Sequence, residues 1–90
     1  MTVYKYELEM GDYAELELPV NAEVLTAALQ HNKLFLWAKV EPGAVTTKRR
    51  FRIAGTGHEL TESNLCYIST IFPYGGNLVF HIFEVEEDSY

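Results

Sequence analysis

The chain has 90 residues, 48% of them hydrophobic, and a net charge of −6 at pH 7 with neutral histidines. Its length predicts one domain spanning residues 1–90 with a thin core, and its charge argues against direct nucleic-acid binding, which needs a broad basic surface. A single cysteine, Cys66, rules out an intrachain disulfide framework, and the lack of a long apolar run argues against a signal peptide or membrane span, so a cytoplasmic setting is expected.

Apolar and charged residues alternate along the first part of the chain, which predicts β-strands. Segments 3–9 and 13–18 each combine one apolar face with one acidic face. The turn-like residues Met10-Gly11-Asp12 lie between them, so we expect a hairpin. Pro19 is expected to end the second strand, because proline cannot donate to a strand ladder.

The next two segments predict a second hairpin. Residues 22–30 fit either a helical stripe or a strand. A strand is favoured because a turn-like break and the strongly strand-like residues 34–40 follow. The turn is predicted at Asn32, since asparagine tolerates positive φ. Residues 34–40 are apolar on both faces, which predicts a central strand.

The second half of the chain continues the strand pattern. A loop is predicted over residues 41–47 and a strand over 48–54. An irregular stretch over 55–64 follows, in which residues 61–64 fit a single helical turn. Strands are predicted over 65–72 and 78–85, on either side of a Pro-Tyr-Gly-Gly-Asn turn.

About six to seven short strands predict an all-β fold, either a small antiparallel sandwich or a partly open barrel. Exposed strand edges and a thin core favour a homodimer.

Four of the seven lysines and arginines lie within residues 48–52. Strand alternation places Lys48, Arg50 and Arg52 on one face, spaced by about 7 Å, where they suit an anion such as phosphate or carboxylate. An internal interpretation stays open, in which this strand pairs with carboxylates of the acidic segments across the sheet. Arg49 points the other way and is expected to be paired or to lie at a rim.

The motif Gly55-Thr56-Gly57-His58 directly follows the cationic strand. Two glycines can adopt positive φ and turn successive N–H groups toward an anion, in an arrangement called a nest. A glycine-rich turn that merely ends the strand is the alternative. The pattern matches neither a dinucleotide fingerprint nor a P-loop.

Three further residue types are candidates for catalysis, metal binding or contact with a partner. Cys66 lies mid-strand, where a buried, inert thiol is expected. His58 and His81 lack the spacing of metal ligands, so we expect no metal, no cofactor and no enzyme. Among the aromatic residues, Tyr74 is the one for which exposure is most expected, because it lies in the Pro-Tyr-Gly-Gly turn.

The chain resembles a family of small uncharacterised proteins found mostly in bacteriophages and prophages. The resemblance covers nearly the whole chain, and its specific block is RRFRIAGTGH. The matching segments are Tyr4–Leu8, Leu36–Ala38, Arg49–His58 and Phe80–Val85. The resemblance implies a phage setting, hence the host cytoplasm, and no established activity. It adds the idea that such proteins bind and block a host component.

Two hypotheses follow. In the first, a non-enzymatic phage protein binds a small anionic ligand on an exposed cationic ridge beside a backbone hollow. The ligand could be a nucleotide signal, which the protein would sequester from host defence. In the second, the chain is an interaction or inhibitor module that acts on a host protein through an acidic face or a sheet edge. The predicted ligand site of the first hypothesis comprises Lys48, Arg50, Arg52, Gly55, Thr56, Gly57, His58 and Tyr74.

Overall fold

Alternating apolar and polar residues build seven strands. A computed structural model of the protein describes residues 1–87 and arranges these strands in two antiparallel sheets. One short helical turn, α1 (Pro73–Gly76), lies between the last two strands. The strands are β1 (Thr2–Glu7), β2 (Tyr13–Pro19), β3 (Glu23–Gln30), β4 (Lys33–Val40), β5 (Thr46–Gly55), β6 (Leu65–Ile71) and β7 (Phe80–Val85).

The sheets have the strand orders β1-β4-β3 and β2-β5-β7-β6 and bury one core between them. Leu34 and Leu36 of β4 meet Phe51 and Ile53 of β5 in this core, together with Ile82 of β7. The predicted all-β sandwich is therefore confirmed. Neither sheet closes into a barrel within residues 1–87.

The predicted first hairpin is wrong, because β1 pairs with β4 while β2 pairs with β5. The connection between β1 and β2 crosses from one sheet to the other. It is held at one end by the Leu8 N–H, which donates to the Leu34 carbonyl at 3.0 Å, and at the other by the Asp12 carbonyl, which accepts from Ile53 N–H. Buried Leu8 anchors the crossing. Alternation shows which face of a strand is apolar. A β1–β2 hairpin and the observed crossing between sheets would both bury that face, so alternation does not distinguish them.

The second predicted hairpin, β3–β4, is confirmed, and β4 is the central strand of its sheet. The turn lies at His31-Asn32, where φ is 51° and 62°. Positive φ at both central residues is typical of the type I′ turns that suit the twist of a hairpin. The helical turn predicted over residues 61–64 is wrong, since that segment is irregular.

Arg49 joins three segments at one end of the sandwich. Its guanidinium contacts both carboxylate oxygens of Glu84 on β7, at 2.5 and 2.8 Å. Its third nitrogen donates to the carbonyl of Ala22 at 2.5 Å, in the corner where the chain passes from β2 to β3. The expectation that Arg49 is paired is therefore confirmed, and a half-buried bidentate pair of this kind is a strong charge-assisted contact.

We expect Arg49→Ala to lower the free energy of unfolding by about 1–3 kcal/mol, because it leaves Glu84 and the Ala22 carbonyl without their donor. The neighbouring exposed Arg50→Ala serves as a matched control and should change stability by no more than about 0.5 kcal/mol. Urea unfolding measures both values. Equal losses in the two variants would contradict a specific role for Arg49.

Candidate functional site

The register between β2 and β5 places carboxylates directly opposite cations. Glu15 faces Arg50, and Glu17 faces Lys48. This register confirms the alternative prediction that the cationic strand β5 pairs with an acidic strand of the same sheet. Arg50 remains exposed and lies over the ring of Tyr13, with its guanidinium carbon 4.8 Å from the ring centroid.

Arg52 lies on the same sheet face as Lys48 and Arg50 but is only 7% exposed. Segment 56–64 folds across this face and covers it. The guanidinium donates to the carbonyls of Asp12 (3.1 Å), Ile53 (2.8 Å) and Glu59 (3.3 Å). The expected exposed ridge is therefore wrong at Arg52, because both terminal nitrogens of its buried guanidinium donate to the protein's own carbonyls. Its Nε has no hydrogen-bond partner within residues 1–87.

A tyrosine–carboxylate contact closes the cover over Arg52. The Tyr13 hydroxyl donates to Glu62, whose other oxygen lies 3.9 Å from Arg52 Nε. This hydrogen bond is the main cause that lowers the pKa of Glu62 below its ordinary value of 4.5, with the nearby guanidinium charges adding to it. The same bond raises the pKa of Tyr13 above 10.0. The β2 strand and segment 56–64 are thus tied by a pH-sensitive contact.

We expect Glu62→Gln to change the acid stability of the fold. A carboxyl whose pKa is lower in the folded than in the unfolded state contributes stability above about pH 4.5 and loses it as the pH falls through the folded value. Wild type should therefore exceed Glu62→Gln in stability near pH 7, and the difference should shrink toward pH 3. Urea unfolding across this range tests it. A difference that stays constant with pH would contradict the assignment.

The Gly55-Thr56-Gly57-His58 motif forms a closed turn. The N–H of His58 donates to the Gly55 carbonyl at 3.0 Å, and Gly57 has φ 91°, as the third position of a type II turn requires. The N–H of Gly55 donates to His58 Nδ1 at 3.1 Å, and that of Thr56 to the Val79 carbonyl at 3.4 Å. Three of the four N–H groups are engaged inside the protein, so the predicted anion nest does not form.

Gly55 is required here because the His58 imidazole lies against its α-carbon. A Cβ on Gly55 would be 2.9 Å from His58 Cε1. We expect Gly55→Ala to cost about 1–3 kcal/mol of stability through this overlap. In a His58→Ala background the same change should be nearly neutral. A double-mutant cycle by thermal or urea unfolding measures the coupling, and simple additivity would contradict the packing.

The predicted ligand residues do not converge on one pocket. Gly55 lies five residues along β5 from Arg50, roughly 17 Å in an extended strand. Tyr74 is 63% exposed, which confirms the expectation about this aromatic. Its N–H donates to the side chain of Asn32 at the β3–β4 turn.

A chain of hydroxyls around His81 was not predicted from the sequence. Thr56 Oγ1 lies 2.8 Å from His81 Nε2, Thr70 Oγ1 lies 3.0 Å from His81 Nδ1, and the Tyr67 hydroxyl contacts Thr70 at 2.7 Å. These partners come from two separate segments, the residue after β5 and the strand β6, which the sequence pattern does not place together. Both imidazole nitrogens are engaged, so this cluster ties the end of β5 to β6 and β7.

Cys66 is exposed, so the expected buried thiol is wrong. No group of three or more His, Cys, Asp or Glu within residues 1–87 is arranged to hold a metal ion. Across the same residues, no helix is both long enough and apolar enough to cross a membrane.

Carboxylates from two sheets meet at one corner of the sandwich. Glu7, Glu9 and Glu15 line a hollow of about 390 Å³ together with Tyr13 and Arg50. We call this hollow the acidic corner. It lies between the end of β1 and the strand β2, each an edge strand of its own sheet, so carboxylates and unpaired strand edges both face outward. Three carboxylates against one guanidinium leave a local excess of negative charge.

The fold and this surface define a small antiparallel β-sandwich domain with an acidic edge. A family model, the domain of unknown function DUF7352, matches residues 1–90, and the chain belongs to that family. Comparison with curated proteins and with solved structures finds no match.

Proposed function

We propose that the chain is a non-enzymatic interaction module that binds a basic segment of another protein at its acidic corner. The observation that carries the proposal is the convergence of Glu7, Glu9 and Glu15 on one open hollow, with Arg50 as the cation that lines it. The resemblance to phage proteins supports a host protein, met in the host cytoplasm, as the partner.

The chemistry of the corner suits lysine or arginine side chains. Carboxylates at a rim attract such groups over a distance and fix their orientation, although each exposed pair adds little affinity. The free edges of β1 and β2 offer backbone N–H and C=O groups to an incoming extended segment. Side-chain charges would then select the partner, and backbone pairing would hold it.

The geometry favours this module over an anion-binding protein. Arg52 is enclosed by the protein's own carbonyls, and three N–H groups of the Gly55–His58 turn are engaged internally. Arg50 and Lys48 are exposed, yet each lies directly opposite a glutamate. A phosphate approaching them would meet those carboxylates at close range, and like charges repel.

The test compares two variants that each lose three negative charges. In the corner variant Glu7, Glu9 and Glu15 become glutamine, and in the control variant Glu59, Glu86 and Glu87 become glutamine. The probe is an extended peptide that alternates lysine with valine or threonine, with binding measured by fluorescence anisotropy. The corner variant should bind at least about tenfold more weakly than wild type, the control variant should bind like wild type, and affinity should fall with added NaCl.

Two outcomes would overturn the proposal. Equal weakening in both variants would mean that net charge alone attracts the peptide. Thermal stabilisation by a nucleotide that Arg50→Ala abolishes would favour the anion-ligand hypothesis instead. Affinity capture from a bacterial lysate with wild type and both variants then identifies the natural partner, as the protein that the corner variant alone loses.

A further inference from the structure

The lateral edge of the sandwich on the other side from β1 and β2 is poor in charged side chains, in contrast to the acidic corner. Residues 63–83 contain no aspartate, glutamate, lysine or arginine, although the chain as a whole has 20 such residues. This stretch supplies the edge strand β6, which lies against β3, the edge strand of the other sheet. Ser69 Oγ joins the two strands by donating to the Ala27 carbonyl at 2.6 Å. We call this side the neutral edge.

Aromatic side chains project from the end of the neutral edge. Phe72 is 57% exposed and Tyr74 63% exposed, and Leu78 is also exposed. Tyr74, Gly75 and Gly76 have φ of 55°, 67° and 93°. A bulky residue in the left-handed region is an outlier that persists only where its surroundings hold it. Here the bond from Tyr74 N–H to Asn32 helps to hold it, and the ring is left facing solvent.

A recess lies directly beside the ring of Phe72, which forms part of its lining. The groove between β3 and β6 has a volume of about 250 Å³ and is lined by Ala27, Ala28 and Leu29 on one side and by Thr70, Ile71 and Phe72 on the other. The lining carries no charge. A projecting aromatic and an apolar recess on the same surface are what a two-fold interface needs, because each copy gives the ring and receives it.

We propose that the neutral edge is the interface between two copies of this chain, with Phe72 and Tyr74 of each copy packed against the groove of the other. The projecting aromatic and the recess on one surface select a second copy as the occupant, and charge decides where two copies can meet. Two copies that each carry −6 repel one another, so contact is least opposed where no like charges meet. The acidic edge strand β2 is three strands away from β6, roughly 14 Å, beyond the Debye length of about 8 Å at physiological ionic strength.

Sedimentation velocity over a range of protein concentrations tests the interface. Wild type should form a dimer, and Tyr74→Asp should weaken its association at least about tenfold, as loss of an aromatic hot spot does. Aspartate suits the test because it tolerates positive φ and also adds charge. Val45→Asp, on an exposed loop, is the matched control and should dimerise like wild type. Added NaCl should strengthen association or leave it unchanged, the opposite of peptide binding at the acidic corner.

Three results would overturn the proposal. The first is that wild type stays monomeric up to about 1 mM. The second is that Tyr74→Asp dimerises as well as wild type, and the third is that Val45→Asp loses as much dimer affinity as Tyr74→Asp. If Tyr74→Asp does not fold, hydrogen exchange on wild type decides the question. Backbone amides of residues 69–78 should gain protection as the concentration rises, and unchanged exchange there refutes the interface. Peptide binding at the acidic corner does not enter these measurements, so the two proposals fail separately.

Discussion

A guanidinium beneath the protein surface must be surrounded by acceptors, and this requirement at Arg52 organises the second sheet. An ion removed from water loses several kcal/mol of hydration free energy, and only well-placed hydrogen-bond partners compensate for that loss. The terminal nitrogens of Arg52 obtain them from the carbonyls of Asp12, just before β2, of Glu59 and of the neighbouring Ile53. These partners come from separate segments, so satisfying one charge also fixes segment 56–64 over the sheet and fixes the entry into β2.

The cationic motif of the sequence is thereby explained largely by folding. Successive residues of a strand point to opposite faces, so Arg49 reaches Glu84 and the β2–β3 corner on the inner side while Arg52 reaches segment 56–64 on the outer side. Gly55 and His58 then close the strand by packing on one another. Lys48 and Arg50 remain outside. The position of Arg50 beside three glutamates makes it part of an acidic surface rather than of a cationic one.

The strands and their faces could be predicted from the sequence, because the alternation of apolar and polar residues within one strand shows which of its faces is buried. It identified β4 and β5, and the turn near Asn32 followed from residues that accept positive φ. Strand partners could not be predicted in the same way. A hairpin of β1 and β2 would show the same alternation of apolar and charged residues as the observed crossing between the sheets. The two differ only in strand pairing, since β1 pairs with β4 and β2 with β5. The burial of Arg52 depends on segment 56–64, whose irregular sequence gives no sign of where it packs.

The two lateral edges of the sandwich have opposite properties, and this difference has a consequence for binding. A dimer joined at its neutral edges would carry one acidic corner at each outer end, since β1 and β2 lie on the far side of both sheets from β3 and β6. A partner with two basic segments could then engage both corners, the second at a high effective concentration set by the rigid dimer. Exposed ion pairs that are individually weak would add up to useful affinity in this way. The same geometry leaves the edge strands β3 and β6 covered in the dimer, so the edges that remain open are those guarded by carboxylates, which discourage unwanted strand pairing.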